Sequence, residues 1–312
     1  MGSSGKGFAK TILFGEHFVV YGLPGIAAGL DKFVQADVQT LKDSKEIIFD
    51  DKVFGEKFSI SEQPEHIKSQ LFNAMFSKED LNEKGLKINI TANFPHGAGL
   101  GYSAALSVAI ARAVSTELDL DLKDEEINDL AFKAEKIAHG NPSGIDNACA
   151  TYGTTILFEK DFKTNENKLK QLKNSAKLFC LLVDTGIKHN TKEAIKKVKE
   201  NKESNPQEFE RIFSDYKKII VKAKQELKFG GIKELGKLMN ENQELLKKIG
   251  VSCKEAEDII RTATFENCLG AKVTGAGCGG NVLILCGIEK ELDKIANILQ
   301  AKKYSIIKTK IS

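Results

Sequence analysis

No stretch of the 312 residues approaches the ~18–20 apolar residues that a membrane-spanning helix needs. The N-terminus, MGSSGKGFAK, lacks the apolar core of a signal peptide, and Lys6 stands where a myristoylation signal wants Ser or Thr. An excess of one charge is also missing. With 46 basic and 43 acidic residues the net charge is +3, too balanced for a nucleic-acid or anionic-membrane partner. Cysteine is sparse: positions 149, 180, 253, 268, 278 and 286 form no CxxC and no disulfide-like density. They read as free thiols in a reducing, cytoplasmic setting. What is present, 41% hydrophobic and 29% charged residues, is ordinary for a folded globular chain. The length suggests two domains of about 150 residues each.

Along the chain, β-branched and apolar runs at Thr11–Phe14, Phe18–Tyr21 and Gly25–Leu30 read as strands separated by Gly15, Gly22 and Pro24. A helix is predicted from about Pro64 to Phe76, where Ile67, Leu71, Ala74 and Met75 share a face. Leu86–Ala92 alternates like a half-buried strand, and Ser103–Leu118 suits a buried helix. Asp124 reads as the N-cap of a helix that Gly140 and Pro142 stop. The polar, lysine-rich stretch Glu159–Lys177 reads as a solvated surface connection and places a boundary between domains 1–165 and 166–312. Beyond it the pattern predicts a strand at Leu178–Val183, three helices between about 190 and 267, and a strand at Gly270–Val273. A strand at Asn281–Cys286, a helix at Lys290–Gln300 and a strand at Tyr304–Lys308 complete the chain. Strands mixed with helices without βαβ regularity argue for an α+β fold.

Three constellations carry chemistry. In PHGAGLGYSAA (Pro95–Ala105), Gly97, Gly99 and Gly101 free the backbone just before a helix. The helix N-terminus makes that loop an anion site, and Ser103 can offer its hydroxyl to a phosphate or to Mg²⁺. A plain glycine-containing turn is the alternative. KVTGAGCGGNVLIL (Lys272–Leu285) formally contains GxGxxG, but a strand follows where a dinucleotide site needs a helix. So much glycine between two strands suggests close approach to the backbone, or merely a bulged hairpin. In EKIAHGNPSGIDN (Glu135–Asn147), Glu135 sits near a helix C-terminus, where its charge needs a compensating metal or basic group. Glu135 and Asp146 together could serve Mg²⁺ and a hydroxyl nucleophile, or be a solvated Glu and an N-capping Asp. With Lys10 ahead of the run ending in Glu16 and His17, the residues point to nucleotide-dependent phosphoryl transfer.

KTILFGEHFVVYG (10–22), PHGAGLGYSAA (95–105) and KVTGAGCGG (272–280), in this order, resemble the three motifs of the GHMP-superfamily small-molecule kinases. HGNPSGIDN (139–147) and NENQELLKKIGVS (240–252) resemble the short archaeal mevalonate kinases within it. The resemblance implies an N-terminal lobe like domain 2 of ribosomal protein S5, a ferredoxin-like C-terminal lobe, and an active site in the cleft. It implies ATP as co-substrate, held at its phosphates by Pro95, His96, Gly97, Ala98, Gly99, Leu100, Gly101, Tyr102, Ser103 and Ala104, with Gly275, Ala276 and Gly277 closing over them. It implies Mg²⁺ on Ser103 and Glu135, and Asp146 and Lys10 as catalytic residues. Asp146 would take the proton of the C5 hydroxyl of mevalonate. Glu16, His17, Ser143 and Gly144 match the substrate pocket. Other GHMP kinases, acting on another hydroxyl or another alcohol, and a non-catalytic sensor on the same fold are the rival readings, and a homodimer is left open.

Two departures stand out. The family loop usually reads GLGSSAA, whereas Tyr102 replaces its first serine here; the phenol could narrow a nucleotide pocket, stack on a base or simply pack. The family also tends to have Arg before an Asn-Thr pair, whereas Lys188 and His189 precede Asn190 and Thr191. The substrate carboxylate contact would then fall to Lys188 or His189, with Thr191 beside them, without the bidentate grip of Arg.

Overall fold

Val34, Ala36 and Val38 alternate with polar residues, and so do Leu86, Ile88 and Ile90; each set is fully buried, which makes one face of each strand a core face. These residues lie on β2 (Gly25–Leu41) and β5 (Gly85–Ala92), paired antiparallel from Val34↔Ala92 to Leu41↔Gly85. The computed structural model describes residues 2–140, 142–161, 166–187 and 191–311. It divides into two units: Met1–Lys10 with Asp31–Gly153, and Thr11–Leu30 with Thr154–Ser312. The chain changes unit inside β1 (Ser3–Phe14) and inside β2. No helix among the described residues is long and apolar enough to cross a membrane.

In the first unit β3 (Ile47–Asp51) runs parallel to β5 and antiparallel to β4 (Glu56–Ser59). Four helices of this unit pack on one another: α1 (Ile67–Met75), α2 (Tyr102–Glu117), α3 (Asp124–His139) and α4 (Ile145–Tyr152). α2 is buried along most of its length, as its alanine content requires. β1 approaches it through glycine. A Cβ on Gly7 would lie 2.0 Å from the Ala105 carbonyl oxygen, and one on Gly5 2.3 Å from that of Ala109. Gly7→Val is therefore expected to destabilise the protein by about 1–3 kcal/mol, read from its urea unfolding midpoint.

In the second unit β8 (Leu178–Asp184), β9 (Gly270–Thr274), β10 (Asn281–Cys286) and β11 (Ser305–Ile311) form an antiparallel sheet in the order β11-β8-β10-β9. In chain order that is 4-1-3-2, with helices between the first and second strands and α9 (Glu289–Ala301) between the third and fourth, a ferredoxin-like split βαβ. β6 (Thr155–Asp161) pairs with Gly25–Ala28 of β2 and with β7 (Glu166–Leu172).

Four expectations are corrected. Phe18–Tyr21 is a short 3-10 helix, because Phe18 turns inward to stack on Tyr216 at 3.9 Å and Gly22 ends the turn with φ 81°. Glu159–Lys177 is not a plain connection: it carries β7, an edge strand whose described side chains lie in solvent and so show no apolar periodicity. Among the described residues between β8 and β9 there are four helices rather than three: α5 (Thr191–Ser204), α6 (Pro206–Phe229), α7 (Ile232–Lys248) and α8 (Lys254–Phe265). Pro206 starts α6, Gly230 (φ 78°) ends it, and Gly250 (φ 88°) follows α7, so glycine and proline punctuate this stretch. Asp124 is the first helical residue instead of the N-cap. The backbone N–H of Lys123 donates to Glu126 at 2.9 Å, leaving Asp124 to pair with Arg112 at 2.6 Å.

Candidate active site

The phosphate-style loop of the first unit owes its shape to glycine at alternate positions. Gly97, Gly99 and Gly101 have φ of 75°, 69° and 74°, a left-handed region that side chains disfavour. Gly101 caps α2, and no side chain occupies the cap. The first N–H groups of a helix lack partners within it, so this terminus is suited to an anion. Leu100 anchors the loop: its side chain is buried, and its carbonyl accepts from the N–H of Lys10 at 2.9 Å.

That bond brings Lys10, inside β1, to the loop, and its ammonium meets the Asp146 carboxylate at 3.1 Å. The Lys10 side chain is 13% exposed and that of Asp146 35%. Asp146 lies in the first turn of α4, which Gly144 opens with φ 83°. Asn147 fixes the same turn by donating to the Asn128 side chain at 2.8 Å. A Cβ on Gly101 would lie 3.1 Å from Lys10 Cγ and 3.7 Å from Asp146 Oδ2, so the loop–helix junction rests on the ion pair. Burial alone pushes Lys10 down, but the charge and hydrogen bond of Asp146 outweigh it, and Lys10 stays above its ordinary value. Four residues of this unit separated by up to 136 positions thus meet at one point.

Beside it, Ser103 donates to Glu135 at 2.7 Å, and Glu135 is only 2% exposed. Burial raises the Glu135 carboxyl above its usual range, with the negative charge of Asp146 adding to the effect and Ser103, His139 and Lys10 opposing it. The solvated reading of Glu135 therefore fails: a desolvated carboxylate and a hydroxyl form a hard-oxygen pair. Among the described residues no three His, Cys, Asp or Glu side chains cluster as a protein-only metal site. Mg²⁺ needs none, since it is ordinarily held by one or two carboxylates with substrate phosphates and water. The residues present fit it.

Tyr102 packs inward. Its ring meets Phe54 at 5.8 Å and Phe94 at 6.0 Å edge-on, and its hydroxyl is enclosed without a hydrogen-bond partner. Burial, with Asp51 and Glu56 nearby, raises the phenol well above its ordinary value. Phe54, half exposed, stacks on the exposed His96 of the loop at 4.3 Å. Pro95 is also exposed. Ser143, exposed, accepts from the N–H of Ile145 just ahead of Asp146.

In the second unit the other glycine-rich segment is a β9–β10 hairpin, as its sequence context indicated. Close approach justifies its glycines. A Cβ on Gly277 would lie 2.4 Å from the Val251 carbonyl oxygen, and one on Gly279 2.5 Å from that of Ile187. Gly275 has φ 81° with open space around its Cβ position. Glu16 and His17 lie in this unit: Glu16 is buried in an ion pair with Lys272, and His17 Nε2 is 2.6 Å from the Ala276 carbonyl oxygen. Thr191 begins α5 and is exposed, while Lys188, His189 and Asn190 lie outside the described residues.

Sequence reasoning passed over Lys272 as the partner of Glu16, and it assigned no work to NENQ. Asn240 accepts from the N–H of Ala271 and Gln243 from that of Val273, both at 2.9 Å. β9 is an edge strand, and these two amides one helical turn apart satisfy its open side. The i, i+3 spacing of two amide side chains was the available signal.

Residues 67–154 match the GHMP kinases N terminal domain, and residues 221–305 match GHMP kinases C terminal. The mevalonate kinase of Pyrococcus furiosus is 36% identical over 292 residues, 87% of this chain and 85% of that one. The crystal structure of L. major mevalonate kinase in complex with R-mevalonate superposes with a TM-score of 0.89 at 32% identity, over 100% of this chain and 96% of that one. The Methanococcus jannaschii mevalonate kinase structure gives 0.85 at 27% identity, over 100% and 99%. Identity of this depth along most of the chain, on top of both matched domains, makes this chain a member of the GHMP kinases and, within them, of the mevalonate kinase family.

Proposed function

We propose that the protein transfers the γ-phosphoryl group of ATP to the C5 hydroxyl of (R)-mevalonate, giving ADP and (R)-5-phosphomevalonate for isoprenoid synthesis. The observation that carries this reading is the 3.1 Å Lys10–Asp146 pair seated against Gly101, where the glycine-rich loop enters α2. Phosphoryl transfer needs little covalent help from a protein; it needs an acceptor hydroxyl aimed at phosphorus and positive charge where negative charge gathers. Asp146 supplies the first. A carboxylate is a weak base toward an alcohol, and in a loose transition state the alcohol loses its proton late. Asp146 therefore orients the hydroxyl and accepts its proton once charge has developed. Lys10, kept protonated by Asp146, supplies positive charge beside the transferring group.

The phosphates of ATP lie along Pro95–Ala104, where the loop N–H groups and the dipole of α2 offset their charge. Ser103 and Glu135 would hold Mg²⁺, which when bound would supply positive charge to offset that of the phosphates. Ser143 and Gly144 flank Asp146 and help seat mevalonate. The enzyme works in the cytosol, where its six free thiols stay reduced.

³¹P NMR of the purified protein with Mg·ATP and mevalonate, against a control without acceptor, tests the reaction. A new C5 phosphomonoester with stoichiometric ADP is expected. A monoester at C3, or intact ATP while both ligands bind, overturns the proposal in favour of a different kinase or a sensor.

A further inference from the structure

Lys68, Asp51, Glu56 and His66 meet at the turn between β3 and β4, in the first unit and apart from the groups assigned to the reaction. Lys68 lies on α1 and is 4% exposed. Its ammonium pairs with Asp51, which has no exposed surface, at 2.7 Å, and also with Glu56. His66 Nε2 is in turn 3.6 Å from Glu56. Asp51 ends β3 and Glu56 begins β4, so one lysine joins both ends of the turn. The other Asp51 oxygen accepts from the N–H groups of Val53 at 2.7 Å and Phe54 at 3.2 Å, inside the turn itself. Neither helix preference nor stability accounts for this lysine. A cation in the first turn of a helix opposes the dipole, and desolvating a lysine with its carboxylates can cost as much as their attraction returns.

What the turn carries is Phe54, whose ring is 46% exposed and so is no core residue. The Lys68 ammonium lies 4.3 Å from the ring centroid, a cation–π contact. The same ring stacks on His96 at 4.3 Å and meets Tyr102 at 5.8 Å. His96 stands near the start of the glycine-rich loop and Tyr102 directly after it, with Gly97, Gly99 and Gly101 between them at positive φ. Nothing lies within 4 Å of a Cβ position on Gly97. Such a backbone has few steric restraints of its own, so contacts at its two ends must set its shape. Phe54 touches both ends. We propose that Lys68 is a positioning residue: it fixes the β3–β4 turn so that Phe54 clasps the loop through His96 and Tyr102, and it thereby sets nucleotide affinity. Tyr102, where the related loops usually carry serine, gains a task, since serine has no ring for Phe54 to meet. Naming the ligand of the loop as ATP rests on the function proposed above; the clasp itself does not. If the clasped shape is held for only a tenth of the time, affinity for a ligand that needs it falls about tenfold.

The test uses the full chain with Lys68→Met and Asp51→Asn combined. The two buried charges are removed together because a lone Asp51 carboxylate would be stranded, and asparagine still accepts from Val53 and Phe54. Phe54→Leu breaks the clasp while leaving the ion cluster intact. Backbone ¹⁵N order parameters are measured without ligands, and dissociation constants for Mg·ATP and for mevalonate are measured separately by calorimetry. In both proteins the order parameters of His96–Gly101 are expected to fall from about 0.85 to below about 0.6, with those of β8 and β10 unchanged. Both should bind Mg·ATP about tenfold more weakly and shift the mevalonate constant by less than about twofold. Phe54→Tyr, which keeps the ring, should match wild type in each readout. Should the double variant fail to fold, Glu56→Gln, at the partly exposed end of the cluster, loosens the turn without stranding a buried charge; a drop in loop order is expected there too. Unchanged loop order in the variant of the ion cluster or in Phe54→Leu, or equal weakening of Mg·ATP and mevalonate, overturns the proposal. So does a wild-type loop that is already at the lower value. Because loop order is read on the ligand-free protein, an inactive wild type would refute the kinase reading without touching the clasp.

Discussion

Asp146→Asn is expected to lower kcat by about 10²–10⁴ while changing the dissociation constant for Mg·ATP by less than about threefold. The split follows from where Asp146 sits. Its carboxylate faces Lys10 at 3.1 Å and adjoins the junction at Gly101, whereas the loop N–H groups that would grip the phosphates belong to the backbone before α2. Asparagine keeps an oxygen for the Lys10 ammonium, so the packing of α4 against the loop survives and the variant folds. What it loses is a place for the proton of the acceptor and the negative charge that keeps Lys10 protonated despite its burial. Single-turnover quench-flow measurement separates the chemical step from binding. A variant with near-wild-type kcat would remove Asp146 from the reaction.

Glu135→Gln is expected to pull stability and activity in opposite directions. Glu135 is a carboxylate almost without solvent, and its folded-state affinity for a proton is raised chiefly by that burial. A group whose folded pKa lies above its unfolded value contributes stability that is fully present below the unfolded value, about 4.5. That stability is lost as pH rises through the folded value. Glutamine has the same shape, still accepts from Ser103, and never ionises. The ligand-free variant should therefore melt higher than wild type at pH 7.5, by roughly 2 °C, and the difference should vanish as pH falls toward about 4.5. Calorimetric scans across that range check the sign; a difference that grows on acidification would contradict the burial argument. Activity should move the other way. The same desolvation that makes the carboxylate costly makes it a strong partner for a divalent cation. Loss of its charge is expected to lower kcat/KM at physiological Mg²⁺ by about 10²-fold, recovered in part at high Mg²⁺. The site is held at a stability cost that its function explains.

Much of this protein is legible in its residues alone. The alternation of Leu86, Ile88 and Ile90, the alanine run of α2 and the glycines at 97, 99 and 101 are local patterns whose physical meaning depends only on near neighbours. The three motifs, and the segments HGNPSGIDN and NENQELLKKIGVS, likewise led to the GHMP kinases and to the mevalonate kinase family before any geometry was known. Other features escaped the same reading because their causes are distant. Phe18–Tyr21 has the composition of a strand, but its helical turn follows from the Tyr216 ring beneath Phe18, nearly two hundred residues away. β7 shows no periodicity because an edge strand with solvent on its faces has no buried side to mark.

For the site, the sequence by itself determined which residue types are present and where the backbone can take unusual conformations. Only the tertiary structure decided which of them meet. Lys10 reaches Asp146 because β1 runs along α2 on Gly5 and Gly7 and bonds to Leu100 through the Lys10 N–H, and Ser103 reaches Glu135 where α2 packs on α3. Only the fold shows that Tyr102 packs inward, that Glu135 is dry, and that Glu16 is spent on Lys272. The physical reason is common to all of these. Conformational preference acts over a few bonds and is written in neighbouring residues, whereas burial, pairing and charge compensation are set by groups that the chain brings together only on folding.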